Sequence, residues 1–173
     1  MLRIRDIGPD PVADLLERFD LSFELVANES PIPGSFWGEP EAGVIGTSVY
    51  ARLDTPIHSV FHEAGHIVCM TADRRASLHR DAGGDDVEES AVCYLQVLLA
   101  DCLDGVGRDR LMRDMDRWGY SFRLGSTSAW FASDADDARR WLVGHGLISR
   151  DEVPTFQLRD GEPTVPATPA ESS

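Results

Sequence analysis

Residues 58–70 read HSVFHEAGHIVCM, a segment that is apolar at most positions yet holds three histidines and a glutamate. Ile57, Val60, Phe61, Ala64, Ile67 and Val68 recur at helical intervals, and Thr55 followed by Pro56 supplies a cap and a proline start. The spacing predicts a buried helix. Residues four apart on a helix stand one above the other, so His62 and His66 face one point while Glu63 is turned about 100° away. Two neutral imidazoles placed in this way can hold one zinc ion, and the glutamate can serve as base toward the water that zinc activates. His58, one turn earlier on the same face, is read as a neighbour of the site or as solvent-facing, because a catalytic zinc keeps one position open.

A zinc site needs a third protein ligand, and the next helix offers one. That helix is predicted from about Val87 to Leu103, with Gly105 and Gly107 ending it. Glu88, Ala91, Val92, Leu95, Leu98, Leu99 and Cys102 form a continuous inward stripe. A core-facing carboxylate is costly unless it is paired or binds a metal, which makes Glu88 the expected ligand. Its other reading is a favourable charge at a helix N-terminus. Glu89 lies on a line with Val92, Cys93 and Gln96 that leads toward the helix edge, and it stays open as the alternative.

Working outward, Pro11 to Phe19 has helical spacing with Asp10 as N-cap. "LSFELVA" and "GVIGTSVYARL", separated by the turn-rich "NESPIPGSFWGEPEAG", read as two strands of a small antiparallel sheet. Further helices are predicted over Arg108 to Trp118 and Ser133 to His145. Between them "GYSFRLGSTSAWFA" reads as loop or strand, with Trp130 and Phe131 either as a wall or lid over a cleft or as part of a plain packing segment. His79, Asp81, Asp85 and Asp86 belong to a polar loop between the two candidate metal-bearing helices. From residue 159 onward "RDGEPTVPATPAESS" offers almost nothing to bury and is expected to be a disordered tail. The expectation is one α+β domain over residues 1–158 and a tail over 159–173.

Thirty acidic residues stand against sixteen basic ones, all arginine, for a net charge of −14. A surface of that sign repels phosphate backbones, so no direct nucleic-acid partner is expected. Arg108, Arg110, Arg113 and Arg117 read as a solvated helix face. Cys69, Cys93 and Cys102 show no C-x-x-C spacing and read as small core residues. The N-terminus lacks a long apolar run, and the longest apolar patch is broken by Gln96 and Asp101, so neither secretion nor membrane spanning is expected and the cytoplasm is the expected compartment.

HEAGH at residues 62–66, followed by Glu88-Glu89-Ser90-Ala91, resembles the H-E-x-x-H then E-x-x-A pattern of gluzincin metallopeptidases, and is most similar to their small ImmA/IrrE-like group. The strand-like "GVIGTSVYARLDTP" also resembles that group, in which an edge strand beside the zinc helix lines the substrate cleft. The similarity spans roughly Gly43 to Leu103. It implies a minimal gluzincin-like fold, zinc held by His62, His66 and Glu88, Glu63 as catalytic base, and a protein or peptide substrate. Where thermolysin-like gluzincins carry an acidic residue four positions after the ligand glutamate, this chain has Val92, so another group must orient an imidazole. Tyr50, Tyr94, Tyr120, His79 and His145 are all eligible to stabilise an oxyanion. The rival expectation is a zinc-stabilised regulatory or scaffolding module in which Glu63 is structural.

Overall fold

The computed structural model describes residues 1–79 and 82–161, so residues 162–173 of the expected tail, and Asp81 of the polar loop, lie outside the described residues. In chain order the described residues form α1 (Ile4–Ile7), α2 (Pro9–Glu17), β1 (Ser22–Leu25), β2 (Gly43–Ile45), β3 (Ser48–Ala51), α3 (Ile57–Cys69), α4 (Ala72–Ala76), α5 (Asp86–Ala100), α6 (Arg108–Trp118), α7 (Thr127–Ser133) and α8 (Asp136–Gly144). The class is α+β. None of the helices among them is long and apolar enough to cross a membrane.

The sheet is mixed where an antiparallel one was expected, with strand order β1-β3-β2. "GVIGTSVYARL" is two strands, because Gly46 takes φ +60° and turns the chain back within two residues. That hairpin makes β2 and β3 antiparallel, pairing Val44 with Val49. β1 is joined to the hairpin by a long connection free to return to the same end, and it pairs with β3 in parallel, Phe23 against Val49.

Beneath the sheet α3 is buried almost all round, with Ile57, Val60, Phe61, Ala64, Ile67 and Val68 shielded from solvent. Each of the larger of these side chains contributes about 1.5–3 kcal/mol by leaving water, and the Ala64 methyl about 0.8 kcal/mol. Thr55 does not cap this helix. Its hydroxyl accepts from Arg52 N at 2.9 Å, and Pro56 stands at the N-cap. At the other end, buried carbonyls need donors, and two arginines provide them. Arg75 donates to Ile67 O at 2.9 Å and Met70 O at 2.8 Å, while Arg159 donates from its backbone to Val68 O at 2.9 Å and from its guanidinium to Cys69 O at 3.2 Å. Arg159, the first residue of the expected tail, thus hydrogen-bonds to the end of α3.

α5 packs along α3. A Cβ on Gly65 would lie 3.0 Å from Val92 Cγ1, so the glycine of HEAGH lets the two helices approach closely at this point. α6 matches its expected span. It ends at Gly119, whose φ of 113° closes the helix and turns Tyr120 back toward α3. Arg108 and Arg110 of its basic face are paired with Asp101 and Asp114.

The stretch expected to be loop or strand before α8 contains α7. Ser126 accepts from Ala129 N at 3.1 Å, and Asp116 of α6 accepts from both Thr127 N and Thr127 Oγ1. Two polar side chains thus satisfy the first turn of a helix whose short apolar run gives no clear period. Trp130 stacks on Phe122 and Phe131 on Tyr94, away from the α3–α5 cleft described below.

Candidate metal centre

His62 and His66 project from successive turns of α3, and their Nε2 atoms lie 3.2 Å apart. The third group that meets them is Glu89. Its Oε2 is 3.1 Å from His62 Nε2 and its Oε1 is 3.3 Å from His66 Nε2. Glu88, the expected ligand, points elsewhere. It forms a bidentate pair with Arg74, both bonds at 2.8 Å, with Arg159 Nη1 at 3.4 Å, and is 4% exposed.

The geometry of α5 explains the exchange. Val92 faces Gly65, and at about 100° per residue Glu88 and Glu89 straddle the Val92 line on opposite sides. The flank of Glu89 looks along α3 toward the imidazoles. The flank of Glu88 looks toward α4 and the C-terminal segment, where the cost of a buried carboxylate is met by arginine instead of metal. Gly84 makes room for that pair, since a Cβ there would lie 2.7 Å from Glu88 Oε2. Asp85 caps the helix by accepting from Glu88 N at 2.9 Å, which sets the start of α5.

Gln96, read from sequence as an interruption in an apolar run and as part of the Glu89 line toward the helix edge, organises the site. Its amide nitrogen donates to His58 O at 2.8 Å, and a carbonyl can only accept, so the amide oxygen must face His62. There it accepts from His62 Nδ1 at 3.1 Å. The proton of a neutral His62 is thereby held on Nδ1, and the Nε2 lone pair is turned toward Glu89. The same amide nitrogen donates to Tyr120 Oη at 3.1 Å, which leaves the phenol proton for His58 Nδ1 at 3.2 Å. His58 is thus a buried neighbour of the site. Burial, and next the charge of His62, push its pKa down to about 3 and keep it neutral.

Electrostatics favour a cation between the α3 imidazoles and Glu89. Burial opposes charge on His62, but Tyr120, Cys93 and Glu89 outweigh it and raise its pKa well above the usual imidazole range. Burial likewise works against ionised Glu89, and the hydrogen bond with His62 together with the charges of His62 and His66 holds its carboxyl below the usual carboxylate range. A proton or a metal ion can supply the positive charge. Tetrahedral zinc with bonds of about 2.0–2.1 Å requires its donors to stand about 3.3 Å from one another. The two imidazole nitrogens stand near that spacing at 3.2 Å, and the 3.1 and 3.3 Å contacts reach different oxygens of Glu89. With one ligand atom from each residue, the three lie within 4.8 Å of one another, a group that could hold a metal ion.

These residues form one side of a cleft of about 900 Å³. Glu63 lines it beside His62, half-buried. The opposing wall is the 36–41 loop, with Phe36, Trp37, Glu39 and Glu41, and the end of α6 contributes Trp118 and Tyr120. The expected edge strand does not line the cleft. Val44 N of β2 donates to Gly34 O at 3.1 Å, so the loop ahead of β2 covers its edge. Of the five side chains eligible as oxyanion donors, only Tyr120 reaches the cleft among its described lining residues. Tyr94 donates to Glu152 and His145 packs on Trp141. Trp130 and Phe131 are not part of the wall.

Comparison of the chain with protein-family models, curated proteins and solved structures gives no match.

Proposed function

We propose that this protein is a zinc-dependent peptidase of gluzincin-like design, with His62, His66 and Glu89 as metal ligands and Glu63 as general base. The observation that carries the reading is the convergence of His62, His66 and Glu89, whose ligand atoms lie within 4.8 Å of one another, on the wall of an open cleft that Glu63, the residue after His62, also lines. Zinc bound there supplies Lewis acidity, lowering the pKa of a water from about 15.7 to near 7. Glu63 takes the proton of the attacking water and passes it to the leaving amine. Gln96 keeps His62 in the tautomer that presents Nε2 to the site. Tyr120, anchored by Gln96 and His58, lines the cleft beside the imidazoles with its phenol proton held by His58.

The test is Glu63→Gln in protein purified without chelators. Zinc content is expected to stay at one per chain, while cleavage of a peptide library falls by about 10²–10⁴-fold, the range that general-base catalysis contributes. Full activity in the variant overturns the assignment of Glu63. Zinc-loaded wild-type protein that cleaves nothing favours the regulatory-module reading, and absence of stoichiometric zinc removes both.

A further inference from the structure

Every formally charged side chain among the described residues that line the cleft is a carboxylate: Glu39, Glu41, Glu63 and Glu89. A divalent metal with Glu89 as ligand and Glu63 as base is electrically balanced, which leaves Glu39, whose charge also acts on Arg52, and Glu41 as the remaining carboxylates of the cleft. Both are held by neutral donors. Glu39 Oε2 accepts from Ile32 N at 3.2 Å and Glu41 Oε1 from Trp118 Nε1 at 3.3 Å, so each keeps one oxygen for a further donor. Neither has an ion-pair partner among the described residues, and the chain contains no lysine.

Beside these carboxylates stand two well-exposed aromatic rings, Trp37 and Phe36, and the partly exposed Trp118. Trp37 is 77% exposed and Phe36 packs edge-on to it at 4.9 Å, while Trp118 at the end of α6 also lines the cleft. Large aromatics exposed around a cleft mark a binding surface, and an indole face beside a carboxylate attracts a guanidinium or ammonium through both its ring and its neighbour. The net charge of −14 draws cations toward the molecule from a distance.

We infer that the cleft selects cationic peptide segments, in which an arginine or lysine meets Glu39 and Glu41 while its stem and an adjacent apolar side chain lie against Trp37, Phe36 and Trp118. This rests on the peptidase reading above for the identity of the site, but the preference is one of binding and is measurable without turnover.

The experiment uses the full-length zinc-loaded Glu63→Gln protein and three short peptides with the same Leu-Phe centre, flanked by arginine, glutamine or glutamate. Binding is followed by tryptophan fluorescence at low and high salt. The arginine peptide is expected to bind on the order of tenfold more tightly than the glutamate peptide at low salt, and the gap is expected to shrink as salt screens the rim. Glu39→Gln combined with Glu41→Gln, which keeps both acceptor oxygens, should reduce the ratio to about twofold, and Glu41→Arg should invert it. Trp37→Ala should weaken the arginine and glutamine peptides alike. Equal affinity for the arginine and glutamate peptides, or a preference that survives both charge variants, overturns the inference. The peptidase reading fails separately: selective binding without cleavage by wild-type protein sinks turnover and leaves the selectivity, whereas equal cleavage of all three peptides sinks the selectivity and leaves turnover.

Discussion

A buried amide that donates to a backbone carbonyl has one usable orientation, and Gln96 passes that constraint on to His62. Gln96→Leu should therefore lower zinc affinity by about 10–100-fold, the usual loss when a metal-bound histidine loses its outer partner. Gln96→Glu keeps the acceptor and should retain most of that affinity, and competition with a chromophoric chelator distinguishes the two. The adjacent acids of α5 should separate just as cleanly. Glu89→Gln is expected to abolish stoichiometric zinc while leaving the metal-free fold nearly as stable, since the side chain is 48% exposed. Glu88→Ala strands Arg74 and Arg159, and breaking such a buried pair should cost about 3 kcal/mol. Thermal unfolding of metal-free protein together with metal analysis checks both. Sequence spacing showed that one of two neighbouring glutamates turns inward; it did not show toward which neighbour, because a helix buried on two flanks has two inward directions.

At the scale of elements the site is a contact between two helices, set by their close approach. Gly65 has its absent Cβ 3.0 Å from Val92 Cγ1, and valine is stiff within a helix. Gly65→Val should push α5 away and cost about 1–3 kcal/mol through overpacking, with a loss of zinc affinity as Glu89 retreats from the imidazoles. Pairing it with Val92→Ala should recover part of both, which a double-mutant comparison of unfolding midpoint and zinc affinity reads directly. The helices with a strong apolar period, α3, α5 and α6, were legible within a few residues. α7 was not, because the cap from Ser126 and the bonds from Asp116 that start it come from outside its own pattern. The sheet's mixed sense was equally invisible, since direction depends on where a long connection returns.

For the whole molecule, the C-terminal segment is part of the machinery. Arg159 reaches the last carbonyls of α3, lies near Glu88, and offers its own carbonyl to Arg75 at 2.5 Å. A chain ending at Gly161 should keep this junction, whereas one ending at Leu158 should lose about 1–3 kcal/mol as buried carbonyls go unpaired. Chemical denaturation of the two chains measures the difference, and equal midpoints would show that α3 ends are satisfied without the arginine. By itself the sequence determined the chemistry brought to the site: two imidazoles one turn apart on an apolar helix, a glutamate between them and an acidic start to the next helix. Those follow from periodicities of 3.6 residues, which are local. Tertiary structure alone decided that Glu89 faces the imidazoles while arginines take Glu88, that Gln96 and Tyr120 stand behind His62 and His58, and that an aromatic, acidic loop walls the cleft. Each of these is a meeting of residues distant in sequence, and the physics that selects them, close packing and the pairing of buried polar groups, acts only once the chain has folded.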